Sequence, residues 1–161
     1  MTGLLTWLEA SALGQAVRGA GVWSYAVINL IHLLGVATLF GSVLILDLKL
    51  LRVFPRVPLS AISVPTVRVA ALGFTVAASS GVCLLATNAT EYRGNPFLLI
   101  KFVAIFVAIA NFALVHRTAA WRARGTDDFS RRQRLQLAIS GAVSLLAWTT
   151  AVTAGRMLGY W

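Results

Sequence analysis

Charge is scarce in this chain. Only 12% of its 161 residues are Asp, Glu, Lys or Arg, about half the roughly 25% usual in a soluble domain. So little polar surface cannot coat a globule in water. A soluble enzyme, a soluble binding module and a disordered chain are excluded. Acid is scarcer still, with 5 Asp and Glu against 14 Lys and Arg. The resulting net charge of +9 does not point to nucleic acid, because the cations gather in two short segments. One cysteine, Cys83, excludes an internal disulfide and a cysteine-based zinc site. There are only two histidines, and no HxxxH, HxxE or CxxC spacing. No buried carboxylate pair and no nucleophile–base–acid set is evident, so hydrolytic chemistry has no support. The first 17 residues hold no Lys or Arg. The basic start of a cleavable secretory signal is therefore missing.

What the chain has in quantity is apolar sequence. Hydrophobic residues make up 58%. A membrane helix needs roughly 20 mainly apolar residues to cross about 30 Å of hydrocarbon. Four stretches qualify, at about 22–46, 67–87, 96–116 and 135–158. Pro55, Pro58 and Pro65 are expected to stop the first. Pro96 suits the first turn of the third, where its missing N–H costs nothing. Gly125, Thr126, Asp127 and Asp128 mark a break, and Asp127 and Asp128 are placed to cap the helix that follows. Small residues such as Gly35, Gly41, Gly73, Ser80, Gly81, Ser140, Gly141, Ser144 and Gly155 permit close packing. The expected fold is all-α: a single integral membrane domain over 1–161, built as a four-helix bundle.

Residues 3–18 are too short and too polar to span. Leu4, Leu5, Leu8, Ala12 and Ala16 recur at helical spacing. They predict an amphipathic helix in the membrane interface, anchored by Trp7.

Orientation follows from the cations. Lys49, Arg52, Arg56 and Arg68 follow the first span; Arg117, Arg122, Arg124, Arg131, Arg132 and Arg134 follow the third. The positive-inside rule places both segments in the cytoplasm and both termini on the outer, periplasmic side. Trp23, Tyr25, Tyr92, Tyr160 and Trp161 then fall at the outer interface and Trp121 near the inner one, as an aromatic belt does.

Ionisable groups within spans are functional candidates by default. They are His32, Asp47, Lys101, His116 and Arg156, with Asn29 and Asn111 as neutral polar neighbours. His32 and His116 are the two available metal ligands. Spans one and three run in the same direction, and the histidines differ in depth by roughly ten residues, or about 15 Å. That disfavours one haem held by both. His116 is close in depth to Asp47, and an Asp47–His116 hydrogen bond would satisfy both as a structural tie. A proton-entry role is the alternative. His32 has Asn29 three residues earlier on one helix face. Lys101, Cys83 and Arg156 lie in the same outer half. If they converge, they make a basic pocket for a quinone head group, haem propionates or an anion. Otherwise Lys101 and Arg156 snorkel to the interface.

The chain resembles a family of small bacterial four-helix inner-membrane proteins of unknown function. The resemblance rests on INLIHLLGVATLFGSVLILDLKLL at 28–51, NPFLLIKFVAIFVAIANFALVHRT at 95–118 and AVTAGRMLGYW at 151–161. The His-Leu-Leu-Gly of span one also resembles the membrane domain of copper resistance protein D. These likenesses imply the four-span architecture and a bacterial inner membrane, and mark His32, Asp47, Asn95, Pro96, Lys101, His116 and Arg156. They carry no activity. Two functions stay open. One is a redox or cofactor-binding protein taking b-type haem or quinone. The other is an accessory or scaffold subunit of a larger membrane complex, or a homo-oligomer. A small-ion or metal permease ranks behind both. The bilayer is the partner common to all.

Overall fold

The computed structural model describes residues 2–125 and 128–160. It is mainly helical: α1 (Thr2–Ala10), α2 (Ala12–Gly19), α3 (Val22–Leu50), α4 (Leu59–Thr87), α5 (Pro96–Arg117), α6 (Ala119–Arg122) and α7 (Arg131–Met157). Short 3-10 turns occupy Ala89–Tyr92, Ala123–Gly125 and Leu158–Tyr160. Among the described residues there is no strand. Among the described residues, four helices are long and apolar enough to cross a membrane: Trp23–Leu50, Leu59–Thr87, Pro96–Arg117 and Arg131–Tyr160. Only 17%, 22%, 22% and 33% of their most apolar windows are buried. Leu33, Phe106, Leu114 and Leu146 are among the large apolar side chains left exposed. Hydrocarbon, not water, is the solvent for such surfaces. The chain is an integral membrane protein.

It divides into two compact units. One runs up to Leu39 and includes Ala71–Pro96; the other holds Phe40–Ala70 and the chain from Phe97 onward. In the first unit α3 and α4 touch backbone to backbone. A Cβ built on Gly35 would stand 2.7 Å from the Ala77 nitrogen, and one on Gly73 would stand 2.5 Å from the Leu39 nitrogen. Neither fits, so hydrogen is the only side chain that allows this approach.

The N-terminal segment is two helices rather than one. Ser11 caps α2, its Oγ accepting from the Gly14 N–H at 3.2 Å. A serine oxygen that takes the amide of a new first turn ends the preceding helix. Leu5, Gly14 and Val17 are buried, whereas Leu4, Ala12 and Ala16 are exposed. The segment is clasped to the end of α4. The Arg18 guanidinium donates to the Thr87 carbonyl at 2.9 Å and to the Glu9 carbonyl at 2.8 Å. The Glu9 carboxylate accepts from the Thr90 N–H at 2.7 Å. A cation on the last carbonyls of α4 and an anion on the first amide of the next turn both suit the helix dipoles.

The second unit packs Leu50, Leu59, Val115, Ala120, Trp121 and Leu137 into one apolar cluster. Trp121 is only 4% exposed. It packs in the core of this unit, on the short α6 that Thr118 caps. Two further expectations are corrected. Pro65 does not stop a helix; it lies inside α4, which begins eight residues before the expected span, at Leu59. Proline early in a helix forfeits one backbone bond, and the Thr66 hydroxyl answers the Ile62 carbonyl next to it at 2.6 Å. The cap of α7 is Ser130, not Asp128. Ser130 and Gln133 form a reciprocal capping box. Asp128 is exposed two residues upstream, and Thr126, Asp127 and Trp161 lie outside the described residues.

The Glu9 contact is pH-sensitive. The Thr90 N–H, then the Thr90 side chain, holds the Glu9 carboxyl below its ordinary 4.5. A carboxyl depressed in the folded state contributes stability above the ordinary value and loses it as pH falls through the lower native value. Thr90 amide exchange, corrected for its intrinsic rate, is therefore expected to be protected at about pH 6 and deprotected toward about pH 3. Glu9→Gln should remove that pH dependence. Unchanged protection across the range would contradict the clasp.

Candidate functional site

His32 lies on α3 in the first unit, half-buried against α4. Its Nδ1 is 2.9 Å from the Ala77 carbonyl and 3.2 Å from Ser80 Oγ. A carbonyl only accepts, so Nδ1 carries the proton. The Ser80 hydroxyl spends its own proton on the Val76 carbonyl, so its oxygen is also an acceptor toward Nδ1. The neutral imidazole therefore carries its lone pair on Nε2. Gly81 makes room for the ring: a Cβ there would stand 3.0 Å from His32 Cε1. Sequence reasoning had Ser80 and Gly81 only as packing residues. Small residues facing a histidine at matching depth were the available signal.

Asn29 does not share this seat; it is exposed. Each three-residue step back along a helix drifts by about 60°. From Leu39 and Gly35 through His32, the drift carries Asn29 off the face that meets α4.

Lys101, Arg156, Asp47 and His116 fall in the second unit. Lys101, half-buried on α5, runs across Gly155 of α7, where a Cβ would stand 3.6 Å from both Cε and Nζ. Arg156 is exposed and turned to Tyr160, donating to its hydroxyl at 2.6 Å with the guanidinium 4.9 Å from the ring centroid. That is the posture of a snorkelling arginine. Lys101 and Arg156 are thus not gathered onto one point.

The Asp47–His116 tie does not form. His116 Nδ1 donates to the Phe112 carbonyl one turn back at 2.8 Å, and its ring lies 3.9 Å from that of Phe112 and 4.3 Å from that of Trp121. Local backbone and ring partners hold it on its own helix. Asp47 instead takes the Ser144 hydroxyl of α7. Gly141 brings that helix close, since a Cβ there would be 3.1 Å from the Asp47 carbonyl. Asp47 is 2% exposed and its Oδ2 has no hydrogen-bond partner. Ser63, 1% exposed, likewise has an unpartnered Oγ. A carboxyl so enclosed, answered by one hydroxyl, is poorly suited to a permanent negative charge. Asn111 and Ser140 bond reciprocally: the amide donates to the Ser140 carbonyl and the Ser140 hydroxyl to Asn111 Oδ1, each at 3.0 Å. Among the described residues no three His, Cys, Asp or Glu side chains gather as a metal site would require.

Spanning helices with enclosed polar contacts define a polytopic helical membrane protein. A family model, described as a family of unknown function (DUF6644), matches residues 4–161. The chain belongs to that family. No match was found among curated proteins or among solved structures.

The Asn111–Ser140 pair has a measurable worth. Interhelical hydrogen bonds in membranes contribute about 0.6 kcal/mol on average and up to about 1.7. Asn111→Leu should lower unfolding stability in mixed micelles by that amount, and Ser140→Ala should add little in the double variant. Additive losses would mean that the two residues act separately.

Proposed function

We propose that this protein sits in the bacterial inner membrane and binds a quinone head group at His32, as part of a redox function. The supporting observation is the fixed tautomer of His32. Histidines that ligate a metal typically donate one ring N–H to a carbonyl and present the other nitrogen's lone pair. In this reading a quinol O–H donates to Nε2. A b-type haem would use the same nitrogen but asks for more. The second histidine, His116, is committed to Phe112 at the far end of α5. In this reading the basic segments face the cytoplasm and both termini face outward. Helices α1 and α2 lie at the outer interface, where exposed Leu4 and Trp7 meet the headgroups.

The test is the protein purified in mild detergent. Organic extracts are assayed for quinone, and absorption spectra are taken oxidised and dithionite-reduced. The expected result is co-purified quinone, with retention about tenfold weaker in His32→Ala, the worth of one lost hydrogen bond. A Soret band that disappears in His32→Ala would replace quinone with haem at the same residue. Colourless, quinone-free protein would overturn the cofactor reading and leave a non-enzymatic accessory subunit.

A further inference from the structure

The second unit contains a pocket beside its apolar cluster, with Leu50, Leu59 and Leu137 common to both. It lies where α3 ends and where α4 and α7 begin, with a volume of about 240 Å³. Four cations line it, Lys49, Arg52, Arg56 and Arg134, over a floor that includes Leu50, Leu59 and Leu137. Among the described residues, no Asp or Glu lines it. Like charges around one small cavity repel one another, and an arrangement without a counter-charge is suited to an anion from outside.

Two of the cations are held in place by the backbone. Lys49 Nζ donates to the Phe54 carbonyl at 3.0 Å, and Arg134 Nε donates to the Phe129 carbonyl at 2.8 Å. Each bond fixes the side chain while sparing other N–H groups, including the terminal nitrogens of Arg134. The third cation supplies an independent observation. Arg52 has φ +66°, the left-handed region. It ends α3 in a Schellman motif, with its N–H on the Lys49 carbonyl at 2.9 Å and the Val53 N–H on the Leu48 carbonyl at 3.0 Å. Glycine is the usual residue at that position, because a side chain there is strained. Arginine at this site keeps the strain and adds a guanidinium to the pocket. Strained residues of this kind cluster at ligand clamps.

We propose that this pocket binds a phosphate-bearing anion, and that its source is an anionic phospholipid. Guanidinium groups match phosphate oxygens in bidentate geometry. The pocket lies at the ends of spanning helices, the level of lipid headgroups. Its leucine floor suits the glycerol and upper acyl carbons of a lipid, which free phosphate lacks. Basic pockets beside membrane helices take anionic headgroups in the same way.

The experiment is native mass spectrometry of the full chain in neutral detergent. The probes are phosphatidylglycerol, phosphatidylcholine and inorganic phosphate, applied to the unmodified chain, Arg52→Gly, Arg134→Gln and the double variant. Phosphatidylglycerol should be retained over phosphatidylcholine, with retention falling about fivefold for each cation removed. Arg52→Gly relieves the left-handed strain, so its thermal midpoint should hold or rise, which separates lost binding from lost folding. Inorganic phosphate that binds with the same arginine dependence, without a preference for phosphatidylglycerol, would assign the anion to solution and overturn the lipid source. Equal retention of the two lipids with no phosphate binding, or a preference untouched in the double variant, would overturn the site itself.

Discussion

Polar groups surrounded by hydrocarbon find their partners within the protein or not at all. The contacts that matter here follow from that constraint. Backbone amides and carbonyls answer one another inside helices, which leaves the side chains of His32, Asp47 and Asn111 to be met across helix pairs. Such meetings need helices that approach to backbone distance. Gly35 and Gly73 provide the approach in the first unit and Gly141 provides it in the second. His32 reaches a main-chain carbonyl of α4, and Asp47 reaches a serine of α7, because small residues stand opposite.

The same constraint distinguishes the polar groups by what they can do. Asn111 and Ser140 close on each other, the amide donating to the Ser140 carbonyl and the Ser140 hydroxyl to Asn111 Oδ1. His116 is bound to its own helix. His32 is held across the pair, its Nδ1 on the Ala77 carbonyl of α4. Asp47 is different again, with one oxygen answered and one not. Outside the spans, water relaxes the rule. There charge is used for fastening, as in the Glu9 and Arg18 clasp, or is concentrated, as by the four cations around the pocket at Arg52.

Several local features were legible because their causes are local. The four spans follow from the length of the apolar runs, and Pro96 stands at the first position of α5 as its missing N–H requires. Other features were misjudged for equally physical reasons. Pro65 looks like a stop in a linear reading, yet a proline near the start of a long apolar helix removes only one bond. The acidic pair before α7 looks like a cap, yet the residue at the boundary is Ser130, with Gln133 reaching back to it. Ser11 divides the N-terminal segment for a similar reason, since its oxygen competes for a backbone amide.

Hydropathy, charge placement and turn residues follow from each residue and its neighbours in the chain. They were sufficient for a helical membrane protein with basic connecting segments and for a short list of intramembrane polar residues. Partnership among those residues was not of that kind. Whether Asp47 meets His116 or Ser144, whether Asn29 turns toward His32 or away, and whether Trp121 faces lipid or the core all depend on helix rotation and proximity. Those are decided by which small residues oppose one another on different helices, and that information is spread over segments tens of residues apart.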